Sequence, residues 1–321
     1  MRYLSPYSLP DSPPISPPDK KALMLQRSKL LAELELSPDR NYHIKNQSLS
    51  KNDILEYFET LQDDTILHYH AQLSNDVVLV TFLEEGKLLE DTSFHQAELY
   101  EDKHFLEWVS PYFYTAFTEY VPKCLQNRDV EGLRTLLQNR LLLTGYDGER
   151  AWTAIMQLLE NNISRLAYLF QQSNEHKTPL PAKEIMPLAD ERYIRVILVL
   201  PETRFTDVRN KYSVALIRLS VGIFNQHNGN WLIAKKWMNS ARLLAISEEL
   251  VAEIEEHTAQ MVKIRRKARS GVLSAIFVIS VIVIKVCSIN YPSTETPKIN
   301  PMDSVLFHFR FPDTTRVLRY H

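Results

Sequence analysis

Asp63, Asp64, His68 and His70 sit together in the stretch DDTILHYH. Carboxylates and imidazoles are the donors that hold zinc and related metals. On a helix Asp64 and His68, four apart, share one face, whereas His68 and His70, two apart, diverge. An ordinary surface pair is therefore the expectation here, not a metal centre. His95, Glu98 and Glu101 follow at spacings of three, the pattern of carboxylate–histidine metal sites on helices. No matching second motif accompanies them, and a solvated face is expected. Cys124, in VPKCLQNRD, has Lys123 and Arg128 nearby, and such cations favour a thiolate nucleophile. Its base would have to come from a remote His. The other cysteine, Cys287, is either an acylation site or a plain apolar residue.

None of the strings G-x-x-x-x-G-K-[ST], G-x-G-x-x-G, G-x-S-x-G or H-E-x-x-H occurs. Only seven Gly are present, which leaves no room for Gly-rich phosphate loops or a turn-dense β fold. Two Cys exclude a disulfide scaffold and a four-Cys zinc module, and suit a reducing compartment. The expectation is a chain that is not an enzyme and needs neither cofactor nor metal. A hydrolase or transferase site assembled from dispersed residues is the rival reading.

The elements that would position any site are helical. The 321 residues are 45% apolar and 24% charged, enough for a real core. Leu23, Leu25, Leu30, Leu31 and Leu34 predict a first helix over 19–37. Tyr42–Gln47 reads as an extended piece or hairpin. Ser50 with Asp53 three residues later marks a helix start. Further helices are expected over 63–72 and 74–85, the second closed by Gly86 although Val77, Val78 and Val80 also suit a strand. Phe105, Trp108, Val109, Tyr112, Phe113, Ala116, Phe117 and Tyr120 give a 3-4 repeat over 103–126, and an aromatic stripe of that kind usually marks a core. Helices over 129–143 and 149–172 would be joined by the turn Gly145-Tyr146-Asp147-Gly148. After a polar, Pro-containing loop at 173–183, three more are expected at 206–227, 230–246 and 248–268. No strand–helix alternation supports a parallel sheet. The six Pro of the first 18 residues argue for a mobile arm, either a leader or a Pro-rich ligand. No apolar run near the start marks a secretory signal.

Within 215–247, Gly222, Gly229, Trp231, Ala234 and Ala241 fall where small residues and an aromatic let two antiparallel helices approach closely. On these positions the segment resembles a tetratricopeptide repeat. It departs at Asn225, where an aromatic is usual, and in having no Pro after the second helix. The resemblance implies protein–protein contact, with a helical hairpin and a capping helix over 203–268.

Residues 271–289 form a nearly uncharged run, GVLSAIFVISVIVIKVCSI. Nineteen residues at about 1.5 Å each span roughly 28 Å, close to the ~30 Å of a bilayer core. Lys285 is near the far end, where its ammonium can snorkel. Lys263, Arg265, Arg266, Lys267 and Arg269 precede the run as a basic collar without acidic residues. Positive charge on that flank assigns residues 1–270 to the cytoplasmic side. The arrangement resembles tail-anchored membrane proteins. The competing reading buries 271–289 as a core helix or strand of a soluble regulatory protein. Net charge is −2; residues 271–321 hold five Lys/Arg and three Asp/Glu, leaving 32 and 36 for 1–270. The overall neutrality thus averages an acidic body with a basic collar, and it argues against nucleic acid as a partner. The expectation is a mainly α, single-pass, membrane-anchored interaction scaffold that meets a protein partner.

Overall fold

The computed structural model describes residues 2–9, 20–45, 47–226 and 230–269. The chain divides into two units, Met1–Lys263 and Ile264–His321. The described part is mainly helical. Its helices are α1 (Lys20–Leu36), α2 (Lys51–Thr60), α3 (Asp64–Leu73), α4 (Val77–Glu85), α5 (Lys103–Asn127), α6 (Val130–Gln138), α7 (Gly145–His176), α8 (Ala182–Ala189), α9 (Glu191–Val199), α10 (Glu202–Asn225), α11 (Trp231–Leu244) and α12 (Glu248–Arg269). Among the described residues the sheet is one antiparallel hairpin, β1 (Tyr42–Ile44) with β2 (Gln47–Leu49), in which Tyr42 faces Leu49.

Local chemistry explains the starts and stops. Ser50 and Asp53 form a reciprocal capping box on α2. Asp76 accepts the Leu79 N–H at 3.0 Å and starts α4, while Gly86 at φ 61° closes it. Cap and αL glycine together override the strand preference of Val77, Val78 and Val80. In α1, Leu23, Leu30 and Leu34 are buried but Leu25 is 73% exposed. Two residues on a helix are about 200° apart, so Leu23 and Leu25 cannot share the core face.

Two expectations are corrected. The segment Gly145–Gly148 is not an interhelical turn but the first turn of α7. Thr144 caps it, and Asp147 accepts the Ser110 hydroxyl at 2.6 Å, tying that turn to α5. These bonds outweigh the ~1 kcal/mol that each Gly costs in a helix. Residues 2–9 are also not a free arm. They thread into the bundle with Tyr3 0%, Leu4 2% and Leu9 4% exposed. Full burial of such side chains is worth about 1.5–3 kcal/mol each, which composition dominated by proline conceals.

The strap is held by polar contacts as well. Gln47 donates to the Tyr3 carbonyl at 2.9 Å, and the Tyr57 hydroxyl donates to Leu4 O at 3.1 Å. Buried Glu84 accepts the Ser5 N–H at 2.8 Å and pairs with Lys45. Arg2 pairs with Glu119 of α5. From Tyr3 a run of ring contacts follows α5: Trp108 and Tyr112 against Tyr3, Phe113 against Phe82, Phe117 against Trp152, and Trp152 against Phe205 of α10. The aromatic stripe of α5 is thus the seam between the N-terminal helices and the α7–α10 layer. Tyr114 faces away, under the Arg150 guanidinium at 4.6 Å.

Candidate functional site

The titratable residues that could have made an active centre are dispersed. Asp64 pairs with Lys20 at 2.9 Å, not with exposed His68. Asp63 caps α3 through the Thr65 N–H. His70 is buried, its Nδ1 2.8 Å from the Tyr3 hydroxyl, and burial pushes its pKa down to about 3. His95 and Glu98 precede a 3-10 turn at Leu99–Glu101, so the three-residue spacing does not fall on an α-helix. The His95 N–H goes to Asp76, and Glu101 faces Arg140 at 3.8 Å. Among the described residues no group of three or more His, Cys, Asp or Glu side chains is arranged to hold a metal ion. Cys124 is buried on α5. Burial and the Asp129 carboxylate raise its thiol to about 12, outweighing the Tyr120 hydrogen bond and Lys123. At neutral pH it is a protonated, apolar packing group.

The α10–α11 hairpin is antiparallel and tightly apposed. Ser213 Oγ donates to Ala241 O at 2.8 Å, and Ser220 Oγ donates to Ala234 O at 2.6 Å. Serines seven apart on one helix meet alanines seven apart on the other, all four fully buried. Gly222 serves a different neighbour. A Cβ there would lie 2.7 Å from Phe170 Cε2 and 3.2 Å from Leu180 Cδ1, so its smallness admits α7, not α11. Trp231 is half-buried and stacks edge-on to Phe224 at 6.1 Å, whereas Trp237 is the fully buried aromatic of α11. Gly229 lies outside the described residues.

The collar belongs to α12, which buries Leu250, Ile254, His257 and Met261 along one face. Lys263 and Arg266 are exposed and Arg265 is half-buried. The helical backbone continues through Lys267 to Arg269. The run 271–289 lies outside the described residues. Among the described residues no helix is long and apolar enough to cross a membrane.

A concave site not anticipated from the sequence opens where α5, α9 and α11 converge. It is a cleft of about 540 Å³ lined by Arg128, Asp190, Glu191, Arg192, Arg195 and Lys236. Arg128 is the α5 C-cap, held at φ 60° in the left-handed region. Asp190 caps α9 by accepting the Arg192 N–H at 2.9 Å. The Asp190 carboxylate lies 3.5 Å from Lys236 Nζ and 3.9 Å from Arg128 Nε. Burial raises the Asp190 pKa, but the Arg192 N–H, Lys236 and Arg128 outweigh it and hold the carboxyl below its ordinary range. Glu191 is taken by Arg195 at 2.6 Å. Beside the cleft is a shallow apolar dip formed by Met186, Ala189, Ile233 and Trp237. The sequence signal was only the local RY-x-R pattern of Arg192, Tyr193 and Arg195; the other two cations come from distant helices.

No protein-family profile, curated protein or solved structure matches the chain.

Proposed function

We propose that the chain is a non-catalytic adaptor, a helical interaction scaffold held at a membrane by a single pass of residues 271–289, with residues 1–270 on the cytoplasmic side. The observation that carries this reading is the continuity of α12 through its basic collar to Arg269, immediately before the apolar run. A core segment has no need of such a flank, whereas a membrane-spanning one uses it to fix orientation, each cation gaining about 1 kcal/mol near anionic headgroups. The inert setting of Cys124 and the neutral, buried His70 support a non-catalytic role. The tetratricopeptide-like hairpin α10–α11 with α12, residues 206–268, is the surface offered to a protein partner. Anchoring raises the local concentration of that surface and lowers the association cost.

Fractionation of the full chain tests the reading. The wild type should stay in the membrane pellet after an alkaline wash. Val281→Asp, a charge in the middle of the run, should release it, and Lys263→Gln with Arg266→Gln should scramble its orientation. Release of the wild type into the soluble fraction without detergent would sink the proposal.

A further inference from the structure

The cleft between α5, α9 and α11 holds more cations than its two carboxylates neutralise, and we infer that it binds a small phosphate ester. Four cations from three separate elements face it, Arg128, Arg192, Arg195 and Lys236, against two carboxylates, Asp190 and Glu191. A surplus of two positive charges remains in a concave site, matching a phosphate monoester dianion. Asp190 is already engaged by the α9 backbone, and its pairs with Lys236 and Arg128, at 3.5 and 3.9 Å, are longer than tight charge-assisted bonds of about 2.7–2.9 Å. Both cations are therefore placed but not saturated. Arg128 and Arg192 supply forked donors that match phosphate oxygens, Arg195 adds its charge although its own fork already meets Glu191, and the α9 N-terminus adds its positive end to the same field. The volume of about 540 Å³ exceeds a bare phosphate and is in the range of small-molecule sites. Exposed Met186 and half-buried Ile233 beside it offer an apolar shoulder for the ester's organic portion. This inference goes beyond the adaptor reading and does not rest on it.

The phosphate group can come from a soluble ester or from a phosphorylated lipid headgroup, and the test separates them. Inorganic pyrophosphate is titrated into the full chain in non-ionic detergent at constant ionic strength, with calorimetric detection. The wild type should bind saturably. Arg192→Gln combined with Arg195→Gln, both exposed positions, should weaken binding at least about tenfold, as loss of a charge-assisted contact does. Arg140→Gln, on the α6–α7 connection, should bind as the wild type does. Asp190→Asn keeps an α9 cap but removes the competing carboxylate, and should tighten binding severalfold. Displacement of pyrophosphate by detergent micelles doped with a phosphoinositide, and not by plain micelles, assigns the site to a headgroup; displacement by glycerol 3-phosphate and not by the doped micelles assigns a soluble ester. Either result upholds the site. Absence of saturable binding, or equal weakening by Arg140→Gln, overturns it, with circular dichroism confirming that each variant is folded.

Discussion

The Tyr3 hydroxyl lies 2.8 Å from His70 Nδ1, joining the third residue of the chain to a helix 67 positions later. Tyr3 is fully buried among His70, Trp108 and Tyr112. The N-terminal strap is therefore part of the core. Tyr3→Phe keeps the ring and removes one buried hydrogen bond, which should cost about 1 kcal/mol. Tyr3→Ala also leaves a ring-sized cavity and should cost about 3–5 kcal/mol. Urea denaturation measures both. Equal stability of Tyr3→Ala and wild type would mean that the strap does not contribute to the fold.

His70 sets a pH dependence whose sign follows from its burial. Its folded-state pKa is lowered to about 3 from an ordinary value near 6.5. The unfolded chain therefore takes up a proton that the folded chain refuses. Stability from this group is complete above pH 6.5 and is lost as pH falls toward 3. The loss should reach about 2 kcal/mol at pH 5. Asp39 and Asp53, whose pKa values are lowered by hydrogen bonds, act only at lower pH. His70→Asn, which can still meet the Tyr3 hydroxyl, should flatten the slope between pH 7 and 5. An unchanged slope in that variant would remove His70 as its source.

Legibility in the sequence followed periodicity. At Ser50 and Asp102, where apolar residues repeat at 3-4 spacing behind a capping residue, the helix starts where the pattern places it, whereas the helix expected over 129–143 stops at Gln138. Capping that depends on a distant partner was not legible: Asp147 holds the first turn of α7 through Ser110 on α5. Tyr3, Leu4 and Leu9 carry no period and stand among prolines, so only their tertiary partners reveal them as core. The cleft was hidden for a related reason, since Arg128, Arg192 and Lys236 are far apart in sequence. Gly222 was legible as a site of close approach, but its partner, Phe170, was not.

The register of the hairpin rests on Ser213 with Ala241 and Ser220 with Ala234. Ser213→Ala and Ser220→Ala each remove one buried hydroxyl bond, leaving a carbonyl that its own helix can still serve. Each should lower stability by about 1 kcal/mol, with near-additive loss in the double variant. Ala234→Leu forces a larger side chain between α10 and α11 and should cost at least about 1–3 kcal/mol. Thermal unfolding ranks the three. A neutral Ala234→Leu would contradict the close approach.

Arg209 is a buried charge held by backbone carbonyls. Its side chain is 3% exposed as a residue, and its Nη2 donates to the carbonyls of Ile197, Leu198 and Leu200. These carbonyls sit at the C-terminal end of α9, where acceptors run short of helical donors, although Ile197 O also accepts the N–H of the C-cap Leu200; a cation is favoured at a helix C-terminus. The ion pair with Glu202, at 3.5 Å, is a lesser contribution because Glu202 is largely exposed. Glu202→Gln should therefore change stability by less than about 1 kcal/mol. Arg209→Met removes the donor and leaves several carbonyls facing an apolar side chain, at a cost of about 3 kcal/mol or more. Arg209→Lys keeps the charge but replaces the planar fork with a single ammonium, and should fall between the two. Chemical denaturation of the three variants gives the order. If Glu202→Gln proved as damaging as Arg209→Met, the ion pair and not the carbonyl cluster would be what fixes Arg209 in place.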